Sequence, residues 1–440
     1  SNNDSGTSNT IFGKNAGDSD GAGDQNVFVG ELAGGTGTQT DAADGNTGVG
    51  YNSLTALTTG SQNTSVGSYN SDDITEGSYN TSVGRSSLAS LTVGSHNTVM
   101  GRATFGVSVH DESYNVAIGN SALGSAKQDG TASSTNREVK KNVAIGYEAL
   151  VGGTLTGTNH LEGCVAIGAN AMDATGANNQ IGTIAIGQSA LGALTSGERN
   201  TALGYQSLMS GTGFADNTAV GFEAGKYLGD DGASNHSSFN TIFGRSAMGG
   251  GHTSTPAGNT AHLNTAIGHG VLGGGTGSTT NLTATNNTAI GYASMNVATS
   301  ATSNVTIGHG SGQSITTATR NVAVGYGTLD ALTANADTAN GNIAVGYNSL
   351  GTLQTGSANI AIGTDALYSA NLAISSCTVI GTRAGDAINS ADADGTVLVG
   401  YFAGGALTSG QRSTAVGYYA LANCDDGDNN TAIGWEALEA

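Results

Sequence analysis

The phrase Asn287-Thr288-Ala289-Ile290-Gly291-Tyr292 recurs in close variants from one end of the chain to the other, and it limits the fold more than any other feature. Aligned on its glycine it occurs 23 times between Gly13 and Gly434, and half of the 22 intervals are 17 residues long. A unit this short cannot bury its own apolar face, so a chain built from it must stack unit on unit. The residue before each glycine is large and apolar, and the one two places earlier is Thr, Val or Ile. Apolar residues on alternate positions, many of them β-branched, suit a pleated strand and not a helix.

The fold expected is therefore all-β: a parallel β-solenoid (β-roll) of about 23 coils on a 17-residue basic repeat. Each coil should hold two strands of about five residues joined by two turns. A two-sided roll is preferred to a three-sided helix because the places six and twelve after Ile290 are Asn296 and Thr302, not aliphatic residues. The bulky row (Ile290 and its equivalents) is expected to face inward, and the small Ala/Gly row to be bare and available for close packing against other chains. Four places after the glycine stands Leu, Met or Phe in sixteen copies and Gly in six. Three places further on, a weaker row runs through Leu57, Ile74, Leu91, Leu194, Leu332, Leu353 and Leu407.

Residues 1–8 read as a polar tail, and residues 9–440 as one continuous repeat domain. The 72 glycines and the single proline, Pro256, would suit disorder if scattered, but the glycines recur at fixed offsets beside strand formers. Every interval longer than 17 keeps the Gly-to-Leu segment intact and adds residues after it, so the extra loops are expected on one edge. A net charge of −20 opposes nucleic acid or an anionic membrane as partner. Lys127, Arg137, Lys140 and Lys141 form the nearest thing to a basic patch and read as a solvated loop. No apolar run approaches the ~20 residues of a membrane span. The chain starts at Ser1 and not Met, which fits removal of a leader as well as a section of a longer polypeptide.

Asparagine stands four residues before the glycine in eighteen copies. Stacked at coil spacing, identical amides at Asn97, Asn115, Asn142, Asn200, Asn217, Asn264, Asn287, Asn304, Asn321, Asn342, Asn359 and Asn430 would bond in a structural ladder. Cys164 and Cys377 occupy the same place and read as small buried thiols, while Cys424 falls in the third apolar row. After the glycine, Tyr292, Tyr326, Tyr347, Tyr401, Tyr418 and Trp435 form an aromatic row suited to surface or glycan contact, or to packing on itself. Asp18, Asp20, Asp392, Asp394, Asp425 and Asp428 sit with glycine in tight turns, where calcium ligation competes with a role as solvated acidic turns. No catalytic motif appears: there is no HExxH, no GxSxG and no CxxC, so the chain is not expected to be an enzyme.

At Asn115 to Gly119 and Asn142 to Gly146 the sequence Asn-Val-Ala-Ile-Gly resembles the head repeat of trimeric autotransporter adhesins. Asn200-Thr-Ala-Leu-Gly-Tyr-Gln-Ser-Leu208 is similar to repeats of bacteriophage tail fibres. The resemblance covers nearly the whole chain, which departs from the adhesins in its longer unit and in having neither a heptad stalk nor a membrane barrel. It implies left-handed parallel β-rolls, a homotrimer, and an extracellular or cell-surface location, or alternatively a place in a virion tail. The function expected is a non-enzymatic structural fibre with an adhesive or surface-layer role. The alternatives are a tail-fibre shaft and a carbohydrate-binding module that contacts host-surface glycans or proteins. No capping sequence precedes Asn9 or follows Leu438, and open terminal coils would pair head to tail into a filament.

Overall fold

The computed structural model describes residues 6–18, 23–105, 112–125, 127–128, 139–155, 159–176, 178–229, 237–249, 259–273, 281–333, 339–370 and 373–439. The chain divides into two compact units, Ser1–Asp216 and Asn217–Ala440. Each is a parallel β-solenoid in which every coil contributes one three-residue strand, ending just before the repeat glycine. In the first unit eleven such strands, from Thr10–Phe12 to Thr201–Leu203, pair in chain order. In the second, twelve strands run from Thr218–Val220 to Thr431–Ile433. Among the described residues there is no α-helix, only a 3-10 turn at Ala391–Ala393.

Register is strict: Thr288 pairs with Val305, Ala289 with Thr306 and Ile290 with Ile307. It also survives the longest insertion, since Val143 pairs with Val116 across 27 residues of chain. The pattern of the phrase fixes this pairing, because a slip of one residue would exchange the two faces of the sheet.

The faces are opposite to the expectation from hydrophobicity. Within each strand the small central residue is buried: Ala289, Ala323 and Ala344 are fully covered. The flanking Thr288 and Ile290 are only half-buried, and Leu203, Phe243 and Ile267 are exposed. The bulky row thus points outward, and the nearly bare row lines the interior. Its place explains its size, because the opposite wall supplies the bulk. Leu54, Leu150, Met295 and Leu350, four residues after the glycine, are fully buried, as are the third-row residues Leu57, Ile74 and Leu407.

Among the described residues no second strand of the expected kind ends at the Leu/Gly position; the further strands are two-residue pieces elsewhere in the coil, such as Val139–Lys140, Leu161–Glu162 and Gln180–Ile181, which pair in parallel. Residues three and four after the glycine are both buried, as with Ser294 and Met295, which a pleated strand with its alternating side chains cannot do. The segment is instead a series of turns in which every second residue is left-handed: Asn52 and Leu54 have φ of 56° and 53°. Its amides still bond between coils. Gly291 and Ala293 donate backward to the carbonyls of Ile267 and His269, whereas Met295 donates forward to Ser311, at 2.8, 3.0 and 3.1 Å. These bonds hold leucine in a conformation that costs an L-residue roughly 1–2 kcal/mol.

The alternation between Leu/Met/Phe and Gly in this left-handed place now has a cause. Where it is glycine, the strand centre is usually large: Ile11 with Gly17, Phe28 with Gly34, Val379 with Gly385 and Leu398 with Gly404. A methyl group placed on Gly34 or Gly404 would come within 2.7 or 2.8 Å of the Phe28 ring or Leu398 Cδ2. Two opposed positions therefore share one volume, filled from either side. Three coils depart from this pairing: Gly225 stands opposite Ala219, while Val99 with Phe105 and Ile242 with Met248 bury a large residue from both walls. The repeat glycine itself is fixed by close approach: Gly291 has φ of 128°, and a methyl group there would lie 2.4 Å from the Gly308 carbonyl oxygen.

Candidate functional site

Three sets of side chains recur coil after coil and could carry function: the asparagines, the aromatic rows and the outward apolar rows. The asparagines are interior. Asn304 Oδ1 accepts from the backbone N–H of Asn321 at 2.9 Å and from its Nδ2 at 3.1 Å. Asn304 Nδ2 donates backward to Asn287 Oδ1 at 3.0 Å and forward to the Ala318 carbonyl at 2.8 Å. The same pattern joins Asn97, Asn115 and Asn142 in the first unit, and Asn217, Asn240, Asn264 and Asn287, then Asn321, Asn342 and Asn359, in the second. Asn200 donates to the Phe214 carbonyl at 2.9 Å. Asn430, half-buried, donates from Nδ2 to Cys424 Sγ at 3.9 Å and from its backbone N–H to Ser413 Oγ of the coil before it at 3.2 Å.

The substitutes show what this place requires. Cys164 Sγ, Thr396 Oγ1 and Ser413 Oγ donate to the carbonyls of Gln180, Gly410 and Gly427, each three residues before the ladder position of the next coil. A donor to that carbonyl is retained in each, while the amide-to-amide link is not; Thr183, at the same place, leaves its buried hydroxyl without such a bond. Cys164 and Cys377 are buried, and loss of solvent pushes both thiols up to about 11, so they are protonated at neutral pH.

A second side-chain ladder, not anticipated from the sequence, runs two residues earlier. The backbone N–H groups of Ser61, Ser78 and Ser95 donate to the hydroxyls of Ser78, Ser95 and Ser113 at 3.0 Å. Aspartate serves equally: Ser375 donates to Asp394 Oδ1 at 2.7 Å and Gln411 to Asp428 Oδ1 at 2.8 Å. The acidic turns thus have a structural use for an oxygen at this place. Asp18, Asp392 and Asp425 are exposed, and Asp20 lies outside the described residues, as do Arg137, Pro256 and residues 1–5 of the tail. Among the described residues no three His, Cys, Asp or Glu side chains gather as a metal site. Lys141 is paired with Glu162 at 2.6 Å.

The aromatic residues after the glycine form stacks. His269, Tyr292, His309, Tyr326 and Tyr347 follow one another with ring centroids 4.9 to 5.4 Å apart and planes within 20°. Tyr401 stacks on Tyr418 at 5.3 Å, and Trp435 is 71% exposed. A further row lies just before the ladder asparagines, where Tyr79, His96 and Tyr114 stack at 4.9 and 4.8 Å. Its signal was present in the sequence as an aromatic ring preceding Asn80, Asn97 and Asn115 on successive coils. In all these stacks the inner rings spend both faces on their neighbours and offer solvent only edges, hydroxyls and imidazole nitrogens.

No protein-family model and no curated protein matches this chain.

The outward apolar rows remain uncovered. In the second unit Phe243, Ile267, Ile307, Ile362, Ile380 and Val416 are 37 to 40% exposed, all on one face of one ladder. The row before the glycine is apolar in all twelve strands of this unit, whereas the row two places earlier is threonine in seven of them. A continuous apolar row with one strand every ~4.8 Å is a feature that monomers seldom expose. No helix among the described residues is long and apolar enough to cross a membrane.

Proposed function

We propose that this chain is a non-enzymatic structural fibre protein that self-associates through the outward apolar rows of its strands. The observation that carries the reading is the inversion of the faces. A solenoid that closes its core with alanine, leucine and an amide ladder has no internal use for the Ile/Val rows. Their regular exposure along each ladder is explained by a second surface of matching period. Another copy of the same chain supplies that period coil for coil, and a homotrimer, which the resemblance implies, covers the face on every subunit.

The rest of the molecule agrees with a scaffold. The asparagine side chains of the ladder are engaged in holding coil to coil. An extracellular or virion location suits a fibre of this kind. Glycan binding by ring stacking is less favoured, because Tyr292 and Tyr326 each already stack with a ring on either side.

The test is sedimentation and light scattering of the full chain beside an Ile290→Lys, Ile307→Lys, Ile362→Lys variant. The parent is expected as a discrete oligomer, and the variant as a monomer with unchanged circular dichroism. A parent that stays monomeric at high concentration overturns the reading.

A further inference from the structure

The coils ending at Gly400 and Gly417 each carry two neighbouring aromatic residues, Tyr401-Phe402 and Tyr418-Tyr419. The fold brings these four rings into one exposed cluster. The Tyr419 backbone N–H donates to the Tyr401 carbonyl at 3.0 Å, which fixes the two turns in register. Ring centroids of Tyr401 and Tyr418 are then 5.3 Å apart, those of Tyr401 and Tyr419 5.7 Å, and those of Tyr418 and Tyr419 4.7 Å. Phe402 packs on Tyr419 at 5.2 Å and takes the Arg383 guanidinium 5.1 Å from its centroid. Tyr401 and Tyr418 are 41 and 49% exposed, so an oxidant in solution reaches both.

The geometry points to an oxidative cross-linking site: Tyr401 becomes joined to Tyr418 or Tyr419 as a dityrosine that staples adjacent coils, given a peroxide and a haem peroxidase. Each phenol gives one electron and its hydroxyl proton to the oxidant. The two phenoxyl radicals join through a bond between ring carbons ortho to oxygen, and the hydrogens on those carbons move to the oxygens as the rings regain aromaticity. The chain loses two hydrogen atoms, and one hydrogen peroxide is reduced to two waters. Tyr401 thus has two phenol rings of the next coil beside it, Tyr418 at an interplanar angle of 15° and Tyr419 at 41°. Proximity decides the outcome, because two phenoxyl radicals formed in contact couple before another chain arrives. Tyr147 instead holds its hydroxyl beside the Glu148 carboxylate and serves as the comparison.

The full chain is treated with a haem peroxidase and hydrogen peroxide, then analysed by intact mass, dityrosine fluorescence and peptide mapping. The expected products are chains lighter by two hydrogens per linkage, with Tyr401 linked to Tyr418 or Tyr419 among them; Tyr51 and Tyr69, 5.1 Å apart on successive coils, and the neighbours Tyr418 and Tyr419 are pairs that link independently of Tyr401. Tyr401→Phe keeps the ring and its packing, and should abolish the cross-coil linkage of the cluster with circular dichroism unchanged. Tyr419→Phe should leave Tyr401–Tyr418 as the linkage within the cluster. A map without a Tyr401 linkage, linkages spread evenly over Tyr147 and the cluster, or linkages confined to bonds between chains overturn the proposal.

Discussion

Exchanging the occupants of one shared volume tests the packing rule of this solenoid directly. Leu398 fills the interior opposite Gly404, whose φ is 58° and where a methyl group would lie 2.8 and 2.9 Å from the two leucine Cδ atoms. One coil on, the volume is filled from the other side, by Ala415 and a left-handed Leu421 with φ of 57°, both buried. Leu398→Ala alone leaves a cavity and should cost about 2–5 kcal/mol. Gly404→Leu alone forces a side chain into occupied space, about 1–3 kcal/mol, and sets a non-glycine residue in a left-handed conformation, about 1–2 kcal/mol. Independent effects would sum to about 4–10 kcal/mol. The double variant reproduces the neighbouring coil, so only the left-handed strain remains, together with a small gap beside Gly385, which also approaches Leu398. The coupling should therefore be at least ~2 kcal/mol in the stabilising direction. A stack of repeats opens locally, so the measurement is native-state hydrogen exchange at Val397–Val399 and Thr414–Val416 rather than a global melt. Each ~1.4 kcal/mol is a tenfold change in exchange rate. A double variant that exchanges as fast as the sum of the two single changes predicts would show that the positions do not share a volume.

Ser294→Asp should destabilise far more than Ile290→Asp, by about 2 kcal/mol or more, because Ser294 is fully buried with its hydroxyl 2.7 Å from Thr306 Oγ1 while Ile290 is half-buried on the outer face. Thermal melts of both variants check this, and equal losses would refute the placement of the faces. Asn304→Ala should cost about 3 kcal/mol, since it strips partners from the buried Asn321 amide and the Ala318 carbonyl. Asn304→Ser, which keeps a donor of the kind seen at Ser413, should cost less, and equal exchange rates near Val305–Ile307 in the two variants would refute that role. Burial raises the Asp72 carboxyl from its ordinary 3.8 to about 6. The folded chain thus holds this proton more tightly than the unfolded one, so its contribution to stability is full below pH 3.8 and is lost as pH rises through about 6. Asp72→Asn should remove that slope and stabilise the protein at pH 7 by about 1 kcal/mol after allowance for partial exposure, as read by denaturant titration at pH 4 and pH 7.

The sequence by itself determined that this chain stacks, with what period and in what register. A glycine that recurs at 17 residues in half of the intervals, always beside a strand-forming triplet, calls for stacked coils, and the pairing of Val143 with Val116 shows that insertions do not disturb the register. The asparagine ladder was legible for the same reason, since a side chain recurring once per coil meets its own kind. Only the tertiary structure decided which face of the strand looks inward. Thr288-Ala289-Ile290 alternates whichever way it is turned, and a preference for burying the larger side chain gives the wrong answer here. The interior is shared with Met295 and its equivalents from the opposite wall, and in most coils that wall supplies the bulk. The left-handed leucines were hidden as well, because local preference opposes them. Bonds from one coil to the next, which no single repeat can form alone, hold them there.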